Sequence, residues 1–552
     1  MKKLLIIITT LLFLTTVQAN NDAVIFKAMQ EEMARNLTGL KLPDMPAPFF
    51  INYIVVEGEA IDITASLGGI VRSAHNPIIR SASVRALTES TDFTNDARFT
   101  NQGQAANVTI ENDVNQIRRD LWMATDRDYK RGLDLLATKR NASRRLNLPE
   151  AENLPHFNLP KAVKMQINPR DYAPYQKAQL EKQMRDLSAI FKEFPKIHSS
   201  QVVLAARQNV FYIVNSQGSE IKQPLSSVQI RIRAEIRSDD GALYVDQRVI
   251  VAENINKLPN SAELARIVRT FADELQKLAE APLVGEYYSG PVLFERDAAA
   301  DIFMNNILTP AGVVFSRRPI AQGNTDFVAN KPLGRKVVDT RLTVINHTQM
   351  TSYKGVNLVG AYAVDAEGVV PAPRQVLVER GLLRQILNAS IPNQQATSSN
   401  GNFRLGITPS QITTQIKPAV LEIQSTKPLS PSNLKKRLIS TAKSEGLEYA
   451  YIVRQLSGTV KIYQVDVKTG RETLMRSPDI ERIGIGRLKR FDAVSSEEFI
   501  ANRMYRIGNA DGGEALPMSI ICPAGILFQD VEIKRLTTNM GTLPPVSNPT
   551  ER

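Results

Sequence analysis

One cysteine, Cys522, occurs among 552 residues. No disulfide can close within such a chain, so its fold must rest on packed cores alone. The length suggests two or more domains, each able to bury a core of its own. A hydrophobic share of 43% is ordinary for a globular protein. The constraint is sharper because the first residues read as an export signal. Lys2 and Lys3 precede an apolar run, Leu4 to Val17, broken only by threonines, and Val17-Gln18-Ala19 then gives a small-x-small cleavage pattern. The run is shorter than the roughly 20 apolar residues of a spanning helix. No second long apolar run follows, and no cysteine near Ala19 offers a lipid attachment point. Cleavage near Ala19 is expected to leave a mature chain that is periplasmic or extracellular, with no stable membrane insertion.

Losing Lys2 and Lys3 lowers the formal charge from +12 to +10. The basic residues are scattered rather than striped: Arg118-Arg119, Lys139-Arg140, Arg144-Arg145, Arg317-Arg318 and Lys435-Lys436-Arg437 each have acidic or apolar neighbours. That pattern suits a solvated surface, and no nucleic-acid partner is expected.

Along the chain, helical spacing is read at 22–37, 113–146, 177–194, 261–279, 296–308 and 430–445. Strands are read at 49–56, 61–66, 70–72, 81–86, 201–205, 210–215 and 228–236. Pro149, Pro155, Pro160 and Pro169 mark a loop or linker. Helices and strands do not alternate regularly, which predicts an α+β fold of two domains with mixed and antiparallel sheets and packed helices. The expected division is a signal at 1–19, an N-terminal α+β domain at 20–284, a second domain at 285–536 and a loose Pro-rich tail at 537–552.

Chemistry-bearing motifs are sparse. The four histidines, His75, His156, His198 and His347, include no pair at helical metal spacing, and no Gly-x-Ser-x-Gly is present. Cys522 lies in the apolar run 519–527 and reads as a buried structural thiol. Asp365-Ala366-Glu367-Gly368 is an acidic pair and equally a good turn.

Two stretches resemble the TldD/PmbA family of metallopeptidase-related proteins. The first is Ser289-Gly290-Pro291-Val292-Leu293-Phe294-Glu295-Arg296-Asp297 with the alanines that follow. The second runs from Asp365-Ala366-Glu367-Gly368-Val369 through Arg374 and Val376-Leu377-Val378-Glu379-Arg380-Gly381-Leu382-Leu383 to Gly401-Asn402-Phe403-Arg404. Weaker resemblance to a secreted, longer subgroup extends over Val84-Arg85, 92–96, 121–131 and 521–528. Zinc-bearing relatives carry His-Glu-x-x-x-His on the helix after the Pro-Val-Leu segment, two imidazoles to hold zinc and a glutamate to activate water. Counting along this chain puts Phe303 and Met304 at the His-Glu positions and Leu308 at the second His. None of these can ligate zinc or act as a base.

The resemblance therefore implies the zinc-less branch, with no catalytic or metal residue and no cofactor in this chain. The zinc is expected in a partner, a zinc-bearing TldD-like subunit, with which the chain completes a peptide-cleaving cleft; alone it is expected to be inactive. Candidate peptide-cleft residues are Asp365, Glu367, Arg374, Gly401, Asn402 and Arg404. The arginines would meet carboxylates and Gly401 would let backbone approach, although a turn with surface ion pairs explains them equally well. Two other readings stay open: a stand-alone peptide-binding or envelope scaffold protein, and a hydrolase using other residues. The family's cytoplasmic roles, including its link to gyrase, do not transfer easily to an exported chain.

Overall fold

The computed structural model describes residues 2–95, 104–145, 154–169, 172–309, 311–314, 332–393, 395–406, 412–506 and 515–536, with side chains from Asn21 onward. Arg317-Arg318, Asp96, Pro149 and the expected tail at 537–552 lie outside these residues. It is an α+β fold of three large sheets and six helices, with four shorter strands in two small sheets, among the described residues.

The first sheet is built from β1 (Pro48–Ser66), β2 (Gly69–Thr88), β3 (Gln104–Asn107), β4 (Lys164–Gln166), β5 (Ile197–Asn215), β6 (Glu220–Arg237) and β7 (Leu243–Ala252). The order is β3-β2-β1-β5-β6-β4, with β7 also paired to β6. Its central strands are far longer than the sequence suggests. The segments read at 49–56 and 61–66 are one strand, and so are those at 70–72 with 81–86 and 201–205 with 210–215. Glu57-Gly58-Glu59 looks like a break, yet β1 runs through it with a register shift between Gly58 and Ala60 against β2. A Cβ at Gly58 would stand 2.5 Å from Gln208 O, so only glycine admits β5 this closely. β7 is not among the strands read from the sequence, although the Asp239-Asp240-Gly241 turn and the β-branched run 249–251 mark it.

Alternation along these strands separates two faces. One face packs against helices. Ile51, Tyr53, Val55, Tyr212 and Val214 meet α1 (Lys2–Gly39) and α2 (Val114–Arg145). Ile61, Ile63, Leu204, Ile230 and Ile232 meet α3 (Lys177–Ala189) and α4 (Ser261–Glu280). α4 starts where Asn260 accepts from Glu263 N at 2.9 Å, an N-cap that satisfies an otherwise orphan donor. On the other face, Ile54, Val56, Phe211, Ile213 and Ile221 pack against Val364, Ala366, Ala389, Phe403 and Leu405 from the second half of the chain.

That half contributes two more sheets. One joins β8 (Tyr287–Glu295), β17 (Tyr449–Gln455), β18 (Lys461–Asp466), β19 (Glu472–Met475), β20 (Pro478–Ile480), β21 (Ala493–Val494) and β24 (Gly525–Arg535). The other joins β9 (Leu342–His347), β12 (Arg374–Glu379), β13 (Leu382–Leu383), β16 (Val420–Ser425), β22 (Glu498–Arg506) and β23 (Ala515–Pro523). Short hairpins pair β10 (Ser352–Tyr353) with β11 (Val356–Asn357), and β14 (Phe403–Gly406) with β15 (Thr413–Ile416). Helix α5 (Asp297–Ile307) lies in the core between the two sheets, and α6 (Pro431–Ser444) covers the far face of the β8 sheet. Cys522 on β23 is fully buried in this core, and burial pushes its thiol up, away from reactivity.

Candidate functional site

Helix α5 decides what chemistry this half can do. Strand β8 ends at Glu295, and Arg296, with φ +51°, turns the chain into the helix while its N–H donates to Ala524 O at 2.8 Å. Phe303, Met304 and Leu308 are all buried in the apolar core with Phe294, Leu421, Tyr451 and Met518. Asn306 is buried too, and its amide donates to Ile302 O at 2.8 Å and Ile483 O at 2.9 Å. These positions are packing positions. No group of three His, Cys, Asp or Glu stands close enough to hold a metal among the described residues.

Writing the zinc motif back onto α5 is therefore expected to break the core rather than build a site. Phe303→His, Met304→Glu and Leu308→His each bury a polar group without a partner, at about 1–3 kcal/mol apiece. The triple variant should lose most soluble yield and bind no stoichiometric zinc, which expression and metal analysis would read; a soluble zinc protein would contradict this packing account.

The other sequence candidates fall into two places. Asp365, Glu367, Asn402 and Arg404 are buried, and the fold takes up most of their polar atoms, the Arg404 Nε excepted. Asp365 accepts from Glu367 N at 2.9 Å, Val369 N at 3.0 Å and Phe403 N at 3.2 Å, closing the turn. Gly368, at φ +85°, sits against Asn215 and Ser219 of the first sheet. Glu367 accepts from Arg85 at 2.7 Å and from Ser390 N at 2.8 Å. The acidic turn is thus a plug docked on the first sheet. Asn402 joins a buried amide network with Asn346 at 3.0 Å, Gln375 at 3.1 Å and Asn400 at 2.8 Å. Arg404 donates to Gly360 O at 2.9 Å, Pro517 O at 2.8 Å and Pro418 O, with its guanidinium over the Tyr362 ring. Burial brings its pKa down to about 10. Gly401, at φ +75°, packs a Cβ-free face 2.9 Å from Pro371, so its glycine serves chain packing. Among the six, Arg374 alone has an exposed side chain, opposite His347, which bonds Glu422 at 2.6 Å. In this chain Asp365, Glu367, Asn402 and Arg404 are thus buried and bonded to other parts of the same fold.

Burial and the nearby Glu367 push the Asp365 carboxyl up to about 8. The folded state holds this proton more tightly than the unfolded chain. Its contribution to stability is whole below about pH 4 and is lost as the pH rises through about 8. Urea midpoints should therefore fall across that window, and less steeply in Asp365→Asn; equal slopes would contradict the assignment.

A cleft of about 250 Å³ lies elsewhere, where the two halves meet. Its floor is the polar face of β6 and β7, with Arg231 and Val249, and its wall is α5, the β17–β18 loop and β22. β7 pairs with β6 alone and β22 with β23 alone, so both are edge strands among the described residues. Thr459 caps Val245 O at 2.7 Å and Asn502 caps Val251 O at 3.3 Å. Between these caps, β7 faces the cleft at Gln247, whose N–H donates to Asp246 Oδ1 at 2.9 Å, and at Val249. Sequence reasoning missed this place, although Asp297 and Asp301, one turn apart on a largely apolar helix, were a signal for it.

Residues 286–475 match the family model described as the PmbA/TldA metallopeptidase C-terminal domain. Over those residues the chain is similar to the TldD/PmbA family. Solved structures share the fold of this chain at low identity. TldE from Thermococcus kodakarensis is similar at 13% identity and TM-score 0.55, covering 92% of this chain and 99% of its own. A protein from Thermotoga maritima described as a modulator of a DNA gyrase gives 12% and 0.54, covering 88% and 96%. One from Bacteroides thetaiotaomicron described as a modulator of DNA gyrase gives 12% and 0.52, covering 92% and 98%. None of the curated proteins matches the sequence.

Proposed function

We propose that this protein is an exported, zinc-less TldD/PmbA-family subunit that pairs with a zinc-bearing relative and supplies part of a cleft for extended peptides. The observation that carries the reading is helix α5. At the positions where the zinc motif would stand, Phe303, Met304 and Leu308 are core residues, so this chain brings no hydrolytic centre of that type. The fold is nevertheless complete and shared with TldE. A peptide can be held without a metal by adding a strand to an exposed edge, and β7 offers such an edge inside a cleft. Cleavage near Ala19 is compatible with this fold. Asp22, just past Ala19, pairs with Lys222 at 2.5 Å and accepts from Tyr212 at 2.7 Å, so a chain starting at Asn20 keeps its anchor on the first sheet. Among the described residues no helix is long and apolar enough to cross a membrane.

Pairing is the direct test. The mature chain and a relative carrying His-Glu-x-x-x-His from the same cell should co-elute on size exclusion as a stable complex. Separate elution at micromolar concentration, together with peptide binding by this chain alone, would favour the stand-alone scaffold instead.

A further inference from the structure

The cleft carries both signs of charge, with Arg231, Arg248 and Arg503 lining it beside Asp297 and Asp301. Helix α5 gives it two carboxylates one turn apart, and they are not equivalent. Asp297 is paired with Arg503. Asp301 accepts a hydrogen bond from Ser457 Oγ at 2.6 Å, and no ion pair involves it among the described residues. It is half-buried at the junction of α5 with the β17–β18 loop, and it lines the cleft whose floor is the β7 edge. A carboxylate drawn partly out of water without a contact ion pair is costly, and burial raises its pKa even though the Arg503 charge acts the other way. Something that enters the cleft and brings positive charge would relieve that cost.

Resting on the reading of this cleft as a peptide site, we infer that Asp301 anchors an ammonium group of the bound peptide. An ammonium carries three donors and no acceptor, which suits a carboxylate beside a hydroxyl oxygen. A divalent metal suits the place poorly. Asp297 is already neutralised by Arg503, and no third ligand converges there among the described residues. The ammonium is the α-amino terminus of the peptide or a lysine side chain, two sources with one chemistry.

Calorimetric titration of the mature full chain distinguishes them. The probes are tri-alanine, N-acetyl-tri-alanine and N-acetyl-Ala-Lys-Ala, each against the wild type and Asp301→Asn. Ammonium capture predicts that acetylation weakens tri-alanine binding at least ten-fold. Asp301→Asn should impose the same loss on free tri-alanine and leave the acetylated form unchanged, which also shows that the variant is folded. If the lysine is the source, N-acetyl-Ala-Lys-Ala keeps the affinity and loses it in Asp301→Asn. Equal binding of all three probes, indifferent to the substitution, overturns the ammonium anchor while the cleft stands. A loss shared by free and acetylated peptides overturns it too. Binding of no probe at all overturns the cleft reading along with it.

Discussion

Replacing Glu367 with glutamine should destabilise the protein by about 3–5 kcal/mol, the range for removing one partner of a buried ion pair. Glu367 and Arg85 stand 2.7 Å apart, both nearly excluded from solvent. The guanidinium of Arg85 also lies over the Phe157 ring. Glutamine keeps the shape and can still accept from Ser390 N, so the loss isolates the charge. The effect should be local as well as global, because Glu367 sits in the turn that docks on the first sheet at Asn52 and Asn215. Limited proteolysis should cut the chain between its halves sooner, and the urea midpoint should fall. A change below about 1 kcal/mol would mean that the pair merely fills space and that the plug is held by its apolar contacts.

Arg404→Met is the second large effect, expected at about 2–4 kcal/mol. Three carbonyls, of Gly360, Pro418 and Pro517, come from separate segments and converge on one guanidinium. Methionine fills much of the volume but leaves all three without their donor, at about 1–3 kcal/mol each, partly offset by removing a desolvated charge. Arg404→Lys should recover only part of the loss, since an ammonium is a point charge without the planar fork. Urea denaturation followed by circular dichroism would rank the three proteins; a lysine variant as weak as methionine would contradict the role given to charge.

Much of the architecture was legible because it follows periodicity. The helical spacing read at 261–279 and 430–445 lies within a residue of α4 and α6 at each end. The long strands of the first sheet were not legible. Glu57-Gly58-Glu59 and the irregular stretch 73–80 break the alternation; pairing with β2 and β5 keeps the first extended, and pairing with β1 the second. The candidate site was half legible. The substitution of the zinc motif by Phe303, Met304 and Leu308 could be counted from the sequence. Residue identity alone could not say whether Asp365, Glu367 and Arg404 face a ligand or the interior, since a buried satisfied network and a binding cleft use the same residue types. The cleft itself joins β6, β7 and α5 with the distant β22, and no local pattern announces it.

The central claim is that this chain carries no zinc chemistry of its own and works through a zinc-bearing partner. Metal content and peptide cleavage should be measured on the purified mature chain, alone and mixed with such a relative from the same cell. The account predicts no stoichiometric zinc and no cleavage alone, with cleavage when the two are mixed. Stoichiometric zinc with cleavage by the lone chain would contradict it and would place the reacting centre away from Phe303 to Leu308.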